Sequence, residues 1–304
     1  MNDLLSAQRS TVSNGMSVRE ALEELTVTLA SAGIPDAARI AADVITSLLG
    51  APRSWPFANR DFKLDAEILI AARRAARKLT SGAPFAYAVG TAPFRHLTLD
   101  VDESVLIPRP ETEMLVDEIL PRMKAEAIAD AGWGTAADIG TGSGAIALAL
   151  ACEGRFERII ATDVSIDALA VARRNIERNR NLLHAPVELR HGSSILPLAG
   201  ERVRLLVSNP PYVAFSESEA LPPSVRDWEP PAALLSGADG MAVTAGIVRD
   251  GASILEPGGL LALEVDERRA SLVAELVMAT GNYIAVGVGL DLTGRERFVF
   301  ATRA

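Results

Sequence analysis

The 304-residue chain reads as an α/β protein: a mostly parallel sheet with crossover helices, closed by an antiparallel hairpin, behind a small helical bundle. Three observations predict this. From Thr135 onward, short apolar runs alternate with helical patterns, the signature of a parallel sheet wrapped by helices. The last two runs, "YIAVGVGLDL" and "RFVFATR", are parted only by a Thr-Gly-Arg-Glu turn, so they pair antiparallel. Ahead of these, three amphipathic stripes at helical spacing are joined by short breaks.

Taken in order, the polar stretch before Ser17 is expected to be a flexible N-terminus, residues 1–16. The first helix opens on Ser17 with Glu20 three residues later, a capping box, and Val18, Ala21, Leu22, Leu25 and Leu29 form its apolar stripe. The second runs from Pro35 to Gly50 with Ile40, Val44, Ile45 and Leu48 inward. The third, "DAEILIAARRAARKLTSG", stops at Gly82. Together they make a helical domain over 17–82. A β-hairpin linker is expected over 83–110: "HLTLDVD" alternates as a half-buried strand does, and "IPRPETE" stops it, because Pro108 and Pro110 cannot continue a ladder. The α/β domain follows over 111–304, opening on the helix "ETEMLVDEIL". Its strands are "AADIG", "RIIATD", "VELRH", "RLLVSN" and "LLALEV" and then the hairpin, seven in all, so the sheet is Rossmann-like.

Composition bounds the function. The net charge is -9, which disfavours holding nucleic acid by phosphate neutralisation; "ARRAARK" reads as a charged helix face. The single cysteine, Cys152, excludes an internal disulfide and reads as a buried thiol. No run reaches the roughly 18 apolar residues of a membrane span, and no secretion signal is read at the N-terminus; a cytoplasmic, monomeric protein is expected. His96, His184 and His191 lack ligand spacing, and no metal site is expected.

The motif "AADIGTGSGAIALALA" runs from a strand through Gly140, Thr141, Gly142, Ser143 and Gly144 into a helix. Glycine suits a tight turn against which a ligand can lie. The spacing is Gly-x-Gly-x-Gly, not that of pyrophosphate loops, and no phosphate-cradling Lys-Ser/Thr follows. Asp163 ends the next strand, about twenty residues on, where a ribose-binding acid is expected. Asp138, just before the loop, would repel a pyrophosphate and suit an ammonium or sulfonium. S-adenosylmethionine (AdoMet) carries both.

The fourth strand ends on Asn209, Pro210, Pro211 and Tyr212. Ligands in open α/β sheets bind beyond the carboxyl ends of strands, so the glycine loop, Asp163 and Asn209 should converge. An amide or aromatic amine is a poor nucleophile. Two acceptors aimed at its N–H groups, the Asn209 side-chain carbonyl and the Pro210 backbone carbonyl, would enrich and orient it, with Tyr212 as a flat wall.

The set "FRHLTLDVDESVLIPRPETE", "DIGTGSGAIALALA", "VSNPPYV", "EPPAALLSGADG" and "EPGGLLALEV" resembles the bacterial HemK/PrmC methyltransferases. These modify the side-chain amide of the glutamine in the Gly-Gly-Gln tripeptide of peptide chain release factors. The resemblance implies the AdoMet-dependent methyltransferase fold. It implies that Gly140, Gly142 and Gly144 line AdoMet, Asp163 holds its ribose and Asn209 to Tyr212 hold the target glutamine. It further implies that Arg109 and Glu111 border the pocket and the helical domain helps recognise the release factor. The chain departs from the family in three places: Ser193 stands where an acidic residue near the adenine is common, Val203-Arg204-Leu205 lacks the usual Asp, and "LEVDE" replaces Glu-Ile-Gly. "EPPAALLSGADG" is expected to be a loop over the site, closed with the help of Trp228 and Glu229. The other readings are a nucleic-acid adenine methyltransferase, which the acidic charge disfavours, a ribosomal-protein glutamine methyltransferase, and a non-catalytic AdoMet-binding scaffold, against which the intact Asn-Pro-Pro-Tyr weighs.

Overall fold

The computed structural model describes residues 15–126 and 132–304. The expected flexible N-terminus lies outside the described residues up to position 14; Met16 already accepts a backbone hydrogen bond from Leu64 at 2.9 Å. The chain divides into two compact units, one ending at Gly90 and the other spanning Thr91–Ala304.

The first unit holds α1 (Val18–Ser31), α2 (Ala37–Leu49), the short α3 (Trp55–Ala58), α4 (Ala66–Thr80) and the short α5 (Phe85–Val89). The capping box at α1 forms as expected: Ser17 Oγ accepts the Glu20 N–H, and Glu20 accepts the Ser17 N–H at 2.7 Å. Leu25, Leu29, Val44, Ile45, Ala72 and Ala75 meet in its core. The expected linker start at 83 moves. Residues 85–89 are helical, end at Gly90 with φ 81°, and group with the bundle. A helix of one turn leaves no periodic stripe by which sequence could find it.

The second unit opens with a hairpin of β1 (Thr91–Phe94) and β2 (Leu97–Asp100), paired Thr91 to Asp100 and Phe94 to Leu97. Then follow α6 (Pro110–Glu126), β3 (Thr135–Ile139), α7 (Ala145–Glu153), β4 (Arg158–Asp163), α8 (Ile166–Asn179), β5 (Val187–His191) and β6 (Val203–Ser208). Short helices α9 (Pro223–Arg226) and α10 (Pro231–Leu234) precede α11 (Ala242–Gly251), β7 (Leu255–Glu264), α12 (Ala270–Ala279), β8 (Tyr283–Leu290) and β9 (Glu296–Arg303). Pro110 begins α6 where its missing N–H costs nothing.

Among the described residues the main sheet has seven strands in the order β5-β4-β3-β6-β7-β9-β8. β3 to β7 run parallel, and β9 is antiparallel to both β7 and β8. The chain therefore leaves β3 to one side for β4 and β5 and returns on the other for β6 and β7. The switch point between β3 and β6 opens a crevice at the carboxyl ends of both. Alternation along the strands builds a core on each face: Ala136, Leu205 and Val207 face one, and Ala137, Leu206 and Ile139 the other. α7 is buried from Ala145 to Ala151. Its run of alanines lets a helix with no solvent face fit between sheet and neighbours. Among the described residues no helix is long and apolar enough to cross a membrane.

Candidate active site

At the switch point lies a cavity of about 510 Å³, lined by the glycine loop, the end of β4, the Asn-Pro-Pro segment, Ser104 to Leu106 and Pro108 of the linker and the start of α11. Gly140 and Gly142 have φ of 72° and 54°, a left-handed backbone that disfavours side chains. A Cβ on either would meet nothing within 4 Å. The constraint there is conformation, and the open side is left for a ligand.

Each end of the crevice is tied down. The N–H groups of Gly140 and Thr141 both donate to the Thr162 carbonyl at 2.9 Å. The Asp163 carboxylate accepts the Gly142 N–H at 2.9 Å on one oxygen and the Ser165 N–H at 2.8 Å on the other. Each of its oxygens keeps a free lone pair. Ser208, fully buried, donates its hydroxyl to the Ile139 carbonyl at 2.7 Å, clamping the end of β6 to the end of β3. Asn175, also fully buried, accepts the Asp100 N–H and donates to the carbonyls of Asp100 (2.9 Å) and Ser143 (2.8 Å). One amide thus joins the linker hairpin to the glycine loop.

Of the residues the sequence singled out, Gly140, Thr141, Gly142, Ser143, Asp163, Ser193, Asn209, Pro210 and Pro211 line the cavity. Five do not. Gly144 sits behind the loop as the cap of α7, with φ 84°. Asp138 was expected to face a cationic ligand; it is fully buried, and its carboxylate accepts the Thr141 hydroxyl at 2.6 Å and the Ala147 N–H at 3.2 Å. It braces the loop from beneath. Burial pushes it up to about 7. Tyr212 stands outside the lining, half-buried, its phenol pushed up to about 12 by desolvation. Glu111 is half-buried in the first turn of α6. Arg109 turns to Glu229 of the loop before α10 and forms an ion pair in which the Glu229 side chain is 1% exposed. Burial raises Glu229 against that pairing. The pair fixes Pro230 and the start of α10, whose Ala232 and Ala233 also line the cavity; the stretch that the sequence read as a loop over the site thus includes a one-turn helix.

Sequence reasoning missed two residues. Thr112 lines the cavity, and its hydroxyl accepts from Asn209 Nδ2 at 3.1 Å while donating to Glu264 at 2.7 Å. Burial pushes Glu264 up to about 7. Thr112 lies inside the quoted "IPRPETE", yet its partners stand 97 and 152 residues away along the chain.

The donor set fits AdoMet. Asp163 offers two lone pairs for ribose hydroxyls. The glycine loop offers open backbone. Val105, Leu106, Ile139, Ile146, Val164 and Ala168 supply apolar wall.

Two family models match the chain: a methyltransferase small domain over residues 115–221 and a PrmC N-terminal domain over 20–90. The release factor glutamine methyltransferase of Moorella thermoacetica is 37% identical over 293 residues, covering 95% of this chain and 99% of that one. The protein of the same name from Rhodopirellula baltica is 36% identical over 256 residues, covering 84% and 86%. The chain belongs to the release factor glutamine methyltransferase family. A methyltransferase of Pyrococcus furiosus of known crystal structure, 20% identical, superposes with a TM-score of 0.50 over 68% of this chain and 89% of that one, which establishes the fold. As a release factor glutamine methyltransferase family member, the chain is a methyltransferase in which the Asn-Pro-Pro-Tyr segment ends within the methyltransferase domain match.

Proposed function

We propose that this chain transfers a methyl group from AdoMet to the side-chain amide nitrogen of the glutamine in the Gly-Gly-Gln loop of peptide chain release factors. The observation that carries the reading is the convergence of Asn209 with the glycine loop and Asp163 on one cavity, with the Asn209 NH₂ already engaged by Thr112. That leaves the Asn209 carbonyl as an acceptor for the target.

Asp163 would accept the ribose hydroxyls of bound AdoMet, and the backbone of Gly140 to Ser143 would lie against the rest of it. Asn209 Oδ1 accepts one N–H of the glutamine amide and the Pro210 carbonyl accepts the other. The nitrogen lone pair, otherwise spread into the amide, then points at the methyl group with greater electron density. When bound, AdoMet supplies an electrophilic methyl on sulfur; its transfer to nitrogen leaves a neutral thioether, and the nitrogen sheds one proton to water. No strong base is required, because the methylated nitrogen is acidic. The Arg109–Glu229 pair holds the segment beside the cavity. The helical unit contributes to release-factor recognition, and the protein acts as a monomer in the cytoplasm.

The test is transfer of labelled methyl from AdoMet to release factor, DNA and ribosomal protein in parallel, with mass mapping of the product. Label on the release-factor glutamine supports the reading. Label only on DNA adenine overturns it.

A further inference from the structure

Asn209 is an acceptor toward the target in only one of its two amide orientations. The flipped amide would present NH₂ to a substrate NH₂, and donor would face donor. Nothing within Asn-Pro-Pro-Tyr selects between them. The selection comes from outside the motif. Thr112 Oγ1 accepts from Asn209 Nδ2 at 3.1 Å and donates to Glu264 Oε2 at 2.7 Å. A hydroxyl has one proton. Given to a carboxylate, that proton is not available to Asn209, so Thr112 shows the amide only a lone pair. The flipped amide would set its carbonyl against that lone pair. Thr112 is 4% exposed and Glu264 1%, so water does not substitute for either. The three groups also come from rigid elements: the first turn of α6, the residue following β6 and the last residue of β7. β6 and β7 pair in parallel with Ser208 opposite Leu263, which sets Asn209 beside Glu264.

We propose that Thr112 and Glu264 are positioning residues that lock the Asn209 amide with its carbonyl toward the target nitrogen. The inference rests on the function proposed above. It makes the orientation of the substrate-binding amide a property of three segments far apart in sequence. Neither residue touches the reacting atoms.

The experiment compares full-length wild type, Thr112→Val, Thr112→Ser, Glu264→Leu and Asn209→Ala in methyl transfer to release factor. AdoMet affinity and thermal melting are followed alongside. Valine keeps the shape of threonine and removes the hydroxyl. The expected result is a kcat roughly 10- to 100-fold lower in Thr112→Val, the scale of a misplaced reacting group. AdoMet affinity should be unchanged, with kcat recovered in Thr112→Ser. Glu264→Leu should fall with Thr112→Val, because the freed hydroxyl can then donate to the Asn209 carbonyl. Wild-type kcat in Thr112→Val, or a serine variant no better than the valine one, overturns the inference. If instead wild type does not methylate the release factor, or Asn209→Ala turns over as wild type does, the proposed function itself fails.

Discussion

Asp163 receives the Gly142 N–H at 2.9 Å, so this carboxylate and the glycine loop are one hydrogen-bonded unit. Asp163→Ala therefore removes two things, the tether on the loop and, on the function proposed above, the acceptors for the ribose. AdoMet affinity should fall roughly 10- to 100-fold, the worth of one or two hydrogen bonds to a charged group. Isothermal titration with AdoMet checks it, and an unchanged dissociation constant would remove the assignment.

Asn209→Ala should act on the other substrate. It deletes a preorganised acceptor and leaves Asp163 and the loop in place, so kcat should drop roughly 10²-fold or more while AdoMet binding holds. Single-turnover kinetics at saturating AdoMet separate the two effects.

The pH dependence has two parts with opposite signs. Asp138 and Glu264 are both raised to about 7 by burial, from ordinary values of 3.8 and 4.5. Between those limits the folded protein holds protons on these two groups that the unfolded chain has released, so their contribution to stability is fullest below their ordinary values and is lost as pH rises through about 7. Melting temperature should decline by a few degrees from pH 5 to pH 7.5, and Asp138→Asn should flatten part of that decline. Turnover should move the other way. Ionised Glu264, facing Thr112, Arg297, Arg109, Glu111 and Tyr212, keeps Thr112 an acceptor toward Asn209. Protonated Glu264 can donate to Thr112 and free it to donate. A kcat that stays flat from pH 6 to pH 8 would contradict this.

Gly240 lies against the segment that carries Tyr212. Its φ is 75°, and a Cβ there would stand 2.4 Å from the Tyr212 carbonyl and 2.9 Å from the Arg269 guanidinium. Gly240→Ala should cost about 1–3 kcal/mol in stability and displace the backbone after Asn209. Turnover should fall with it while AdoMet affinity changes little. Denaturant titration and kcat against KM measure both.

Much of this architecture was legible because its signals are local. The five parallel strands and closing hairpin each carry an apolar run of the right length. Asp163 and Asn209 end strands, and the strand-end rule alone brought them together. What could not be read was long-range. Thr112 and Glu264 are ordinary residues until α6 and β7 bring them to Asn209, and Asn175 looks like any polar helical position until the hairpin and the glycine loop close over it. Asp138 was read from its charge, but its surroundings decide its role: a carboxylate beneath the loop with no exposure accepts the loop's Thr141 hydroxyl and the Ala147 N–H of α7. α5 escaped because a single turn has no period.

The helix α7, closed in from Ala145 to Ala151, has a consequence for recognition. Its first two residues, Ala145 and Ile146, also line the cavity, so the packing that holds the helix holds the edge of the site and the loop that leads into it. On the function proposed above, the cofactor would meet a loop already supported by that packing. Ligand arriving there has little left to organise, so its affinity reflects fit to a standing surface more than the cost of shaping one.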